Sequence, residues 1–80
     1  MNSVVKEIIK ELGMKNFSDI LFLRTILIES LSLMAIEGSE PASKTLRKIE
    51  GKSMVEQVAW IYHDFPNLRE FGEKQLNKTN

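Results

Sequence analysis

Cysteine is absent from this 80-residue chain, which excludes disulfide bridges, thiolate nucleophiles, iron–sulfur clusters and cysteine-rich zinc sites. There is a single histidine, so the paired imidazoles of a zinc hydrolase are excluded as well, and no His-Glu-x-x-His or di-iron carboxylate spacing exists. The glycines stand alone at 13, 38, 51 and 72, so neither a Gly-x-Gly-x-x-Gly turn nor a Walker-type lysine loop can be written. The serines at 3, 18, 30, 32, 39, 43 and 53 lack a Gly-x-Ser-x-Gly elbow. Net charge is also missing: eleven basic and eleven acidic side chains cancel, and no overall field draws the chain to nucleic acid or an anionic membrane. The expectation is a protein that is not an enzyme and uses no cofactor or metal.

A long apolar run is the next absence. The most hydrophobic stretch, Ile20 to Ile36, falls short of the ~20 apolar residues a bilayer demands, and Arg24, Thr25, Glu29, Ser30 and Ser32 interrupt it. The first residues, Met-Asn-Ser-Val-Val-Lys-Glu, lack the basic and apolar regions of a secretion signal. A cytoplasmic protein with no membrane partner is expected. The length suits one domain, placed at residues 1–76 with a mobile tail at 77–80. A chain of this size buries only about 60% of the surface it exposes when unfolded, a thin margin that self-association often reinforces.

What is present is helical periodicity. Val4, Ile8 and Leu12 fall on one line with Val5 and Ile9 beside them, and Gly13 supplies a stop. Asn16 or Ser18 then caps a second helix of about 18–37, with Asp19 at its positive end. At about 100° per residue this helix is apolar nearly all round, leaving Thr25, Glu29 and Ser32 as a narrow polar strip with Arg24 near its edge. Gly38, Ser39 and Pro41 close it and open a third helix of about 40–50. Gly51 breaks that helix, and Ser53 with Glu56 forms a capping-box signature for a fourth helix ending near Asp64. Pro66 demands a break, after which Leu68, Phe71 and Leu76 support a weaker fifth helix over 67–76. Strand alternation and hairpin turns are lacking. The fold expected is all-α, a compact bundle of four to five short helices around the hydrophobic helix at 18–37.

Charge is unevenly spread. Residues 16–40 carry Arg24 against Asp19, Glu29, Glu37 and Glu40, whereas residues 41–52 carry Lys44, Arg47, Lys48 and Lys52 against Glu50. Lys44, Arg47 and Lys48 fall at i, i+3 and i+4, so they share one face that suits phosphates, an acidic partner or water. With Gly51 and the fourth helix, this segment imitates a helix-turn-helix, although only Ser53 and Gln57 suit base reading on the second helix. His63 and Asp64 are adjacent, about 100° apart on a helix, and are not expected to form an acid–base pair. Arg24 and Glu29 need partners from other helices, a second subunit or solvent, since an unpaired buried charge costs several kcal/mol.

The leading expectation is a small protein–protein interaction or regulatory module, self-associating as a homodimer or meeting another protein partner. Its interface residues would be Phe22, Ile26, Leu33, Trp60 and Phe65, with the burial of Trp60 deciding between interface and core. The alternative is a helix-turn-helix-like DNA-binding regulator that contacts phosphates through Lys44, Arg47, Lys48 and Lys52.

Overall fold

The computed structural model describes residues 2–79, which fold as five helices: α1 Ser3–Leu12, α2 Phe17–Ile36, α3 Glu40–Ile49, α4 Met54–Asp64 and α5 Pro66–Thr79. Among the described residues there is no strand, and no helix is long and apolar enough to cross a membrane.

Each boundary has a local chemical cause. The Asn2 side chain accepts from the backbone N–H groups of Val4 (2.8 Å) and Val5 (3.2 Å), meeting two of the donors that open α1. Asn16 does the same for Asp19 at 2.9 Å, which starts α2 at Phe17. α2 ends in a Schellman arrangement: Gly38, at φ 101°, donates to the Ala35 carbonyl at 3.0 Å and Ser39 to Met34 at 2.9 Å. Gly51 adopts φ 80° between α3 and α4, a left-handed conformation that β-carbon sterics disfavour. Ser53 then caps α4 through the Glu56 N–H at 3.2 Å. The Phe65 carbonyl accepts from Leu68 (2.9 Å) and Arg69 (3.2 Å), so α5 opens directly on Pro66, a residue suited to a first helical position.

Two helices organise the core. α4 packs against all four others, and α2 packs against α3, α4 and α5. α2 contributes one buried line, Ile20, Leu23, Leu27 and Leu31, at the three- and four-residue spacing of a helical face. Val5, Leu12, Ile49, Val58 and Ile61 meet it from the other helices. α5 comes close enough to α2 that a β-carbon on Gly72 would lie 3.2 Å from Leu23 Cδ2 and 3.4 Å from Leu27 Cδ2.

Polar side chains tie the helices together around this core. Gln57 is only 7% exposed, accepts from Arg24 Nε at 2.6 Å and donates to the Ile49 carbonyl at 3.1 Å, linking α2, α4 and α3. This places Arg24, which the sequence set near the edge of a polar strip, in an interhelical bond. On the opposite side, the Tyr62 hydroxyl donates to Glu73, which also pairs with Lys15 at 3.2 Å. Burial, reinforced by the Glu73 carboxylate, pushes the Tyr62 hydroxyl well above the ordinary phenol range, so Tyr62 acts as a fixed donor.

α5 continues through 77–79, the segment expected as a tail outside the domain; Asn80 lies outside the described residues. The continuation has a local cause. Leu76 is buried, and the Thr79 hydroxyl donates to its carbonyl at 2.8 Å.

Candidate functional site

Two surfaces merit examination: the outward side of α2, and a cleft where α3 meets the end of α4. The buried line of α2 faces inward, so its opposite side faces solvent. That side holds the polar strip of Thr25, Glu29 and Ser32, but the residues flanking the strip are apolar. Phe17 is 69% exposed, Leu21 41%, Leu33 59% and Ile36 82%. Phe22 and Ile26 are half-buried on the same side. Thr25 directs its hydroxyl back to the Leu21 carbonyl at 2.8 Å, which removes one donor from the strip. Glu29 has no basic partner within 4.0 Å among the described residues.

The cleft has a volume of about 410 Å³ and is lined by Lys44, Thr45, Lys48, His63, Asp64 and Phe65. Asp64 is its organising group. Oδ2 accepts from the Thr45 hydroxyl at 2.7 Å and pairs with Lys48 Nζ at 2.7 Å, while Oδ1 lies 2.8 Å from His63 Nδ1. Burial acts to raise the Asp64 pKa, and the hydrogen bonds from Lys48, His63 and Thr45 outweigh it, so the carboxyl titrates below its usual range.

The His63–Asp64 pair corrects the sequence expectation that neighbours about 100° apart would not meet. The two α3 donors fix Oδ2 and turn Oδ1 toward the imidazole. The α1 cap bears on the tautomer. Asn2 Oδ1 is committed to two backbone N–H groups, so its Nδ2 is the atom that faces His63 Nε2 at 3.4 Å, an arrangement matched by the tautomer with its proton on Nδ1, toward Asp64. Thr45, the hydroxyl lining the cleft, is itself a donor to Asp64. Among the described residues, no three His, Asp or Glu side chains gather to hold a metal ion.

Trp60 belongs with this cleft. Its ring lies under Lys48 Nζ, 4.2 Å from the centroid, and meets the His63 ring edge-on at 5.6 Å. The ring is half-buried, and its Nε1 is buried with no hydrogen-bond partner. The five residues expected to share one interface are therefore divided. Leu33 is exposed on the outer side of α2 and Phe22 and Ile26 are half-buried against the core, whereas Trp60 and Phe65 stand at the cleft.

The basic cluster divides as well. Lys48 is engaged by Asp64, and Lys52 pairs with Glu56 at 3.4 Å. Lys44 and Arg47 are exposed, with no acidic partner within 4.0 Å among the described residues. α4, the helix that a helix-turn-helix would lay in the major groove, is enclosed by the other four helices, and Gln57, one of its two candidate base readers, is spent on Arg24 and Ile49.

Phe17, Leu21 and Ile36, and the cleft residues Thr45 and Asp64, were not singled out from the sequence as site residues. A signal for the first group was present: the polar strip marks the outward direction of α2, and apolar residues one turn to either side of it are left uncovered. No protein-family model matches the chain, and comparison with curated proteins and with solved structures yields no match.

Proposed function

We propose that this chain is a self-associating interaction module in which the outer side of α2 packs against α2 of a second copy. The observation that carries the reading is the exposure of Leu21, Leu33 and Ile36 on the outward arc of α2, to either side of its polar strip, with Phe17 exposed at its start. Such a helix is about 30 Å long and its side about 10 Å wide, so about 300 Å² per copy is on offer, less than the ~800 Å² per partner of a standard interface, and the association expected is weak and transient.

The charges favour an antiparallel pair. Setting Leu21 opposite Leu33 of the second copy brings Thr25 opposite Glu29, and Glu37 opposite Phe17 at the positive end of the facing helix. A parallel pair would stack Glu29 on Glu29, which is unfavourable. The test is Leu33→Glu combined with Ile36→Glu. Both positions are exposed in the single chain, so helix content should persist while the dimer dissociates. A double variant that remains as associated as the parent would remove the reading.

The alternative, a DNA-binding regulator using residues 41–52, retains Lys44 and Arg47 as exposed cations for phosphates, but α4, the helix that would read bases, is packed by the other four. If it holds, affinity for duplex DNA falls steeply between low and moderate salt, and neutralising Arg47 flattens that dependence.

A further inference from the structure

We propose that the cleft between α3 and the end of α4 binds a small phosphate-bearing anion, held by Lys44 and Lys48. Three observations support it, and none involves the α2 face. The cleft volume, about 410 Å³, lies within the range of small-ligand sites. Its one acidic group is already engaged: Asp64 accepts from Thr45 and Lys48 on Oδ2 and meets His63 on Oδ1, so it holds the surrounding donors in place. Lys44, one helical turn before Lys48, lines the same cleft and has no acidic partner within 4.0 Å among the described residues.

Apart from His63, the charged groups lining the cleft are two lysines against one carboxylate, a balance of plus one. Two lysines at i and i+4 repel one another, and a tetrahedral oxyanion between them relieves that repulsion while accepting from both. Lys48 is held in place on two sides, by Asp64 at 2.7 Å and by the face of Trp60 at 4.2 Å, so little side-chain freedom is lost when it meets an anion. His63 lines the same cleft, so its imidazole reports on occupancy. A helix-terminus or glycine-loop mechanism is not involved: the charge comes from side chains.

The molecule carries its own reporters, since His63 is the sole histidine and Trp60 the sole tryptophan. Inorganic phosphate and glycerol 3-phosphate are titrated separately into the full chain at constant ionic strength with chloride as the control, following the His63 imidazole resonances by NMR. Saturable shifts with either phosphate and none with chloride are expected. Saturation by both probes assigns recognition to the phosphate group itself, and saturation by the ester alone adds its organic portion. Lys44→Ala, an exposed substitution, should weaken binding about ten-fold, the size of one charge-assisted contact. Lys44→Glu should abolish it with helix content unchanged. No saturable shift with either probe, or undiminished affinity in both Lys44 variants, overturns the proposal.

Discussion

Replacing Gln57 by leucine removes the one side chain that joins α2, α3 and α4 through hydrogen bonds. Leucine is close in volume, so the change is mainly one of polarity. The Ile49 carbonyl loses the donor that meets it at 3.1 Å in a buried setting, a cost of about 1–3 kcal/mol for an acceptor left without a partner. Arg24 Nε loses its 2.6 Å acceptor, but Arg24 is half-buried and can turn to water, so this adds only about 1 kcal/mol. Burying a better apolar side chain returns part of the loss, about 1 kcal/mol. The net expectation is about 1–3 kcal/mol of destabilisation, which in a domain of this size lowers Tm by roughly 4–20 °C. Urea unfolding followed by Trp60 fluorescence and by far-ultraviolet circular dichroism measures it, with coincident transitions and an unchanged slope expected. A companion cycle with Arg24→Met should give a coupling energy above about 0.5 kcal/mol between the two sites. A Gln57→Leu protein as stable as the parent, or additive effects within error, would refute the role assigned to this link.

Other substitutions probe separate features. Gly51→Ala places a β-carbon at φ 80° and should cost about 1–2 kcal/mol, read in the same unfolding assay. Gly72→Ala should be near neutral, because the about 1 kcal/mol gained in helix propensity offsets the crowding of the flexible Leu23 and Leu27 ends at 3.2 and 3.4 Å, whereas Gly72→Val should lose about 1–3 kcal/mol by overpacking. Asp64 titrates below its usual range in the folded chain, so it contributes stability above the ordinary value of about 3.9 and loses it as pH falls through the lower folded value; Asp64→Asn should therefore be less stable near neutrality and show a shallower loss below about pH 4.

The helices were legible in the sequence because their ends carry capping chemistry that acts locally. Asn16, Ser39 and Ser53 each accept from the backbone three residues on, and Gly38 and Gly51 take the left-handed conformations their positions suggested. The buried line of α2 was legible only in part. The polar strip of Thr25, Glu29 and Ser32 marks the outward direction, but on a helix apolar nearly all round it does not show where cover ends, so the exposure of Leu21, Leu33 and Ile36 beside it depends on the packing of the other helices. The end of α5 was misjudged because residues 77–79 lack an apolar anchor; a hydroxyl-to-carbonyl bond at Thr79 extends the helix instead. The cleft was hidden for a different reason. Its centre joins Asp64 to Thr45 and Lys48 across 19 and 16 positions, a juxtaposition set by the packing of α3 on α4 that no local pattern encodes.

Self-association through α2 is the claim most exposed to a direct result. Sedimentation equilibrium of the unmodified chain across the micromolar range should show its mass rising from 9.2 kDa toward twice that value as concentration increases. A mass that stays at 9.2 kDa up to several hundred micromolar would show that the apolar side of α2 does not pair with a second copy.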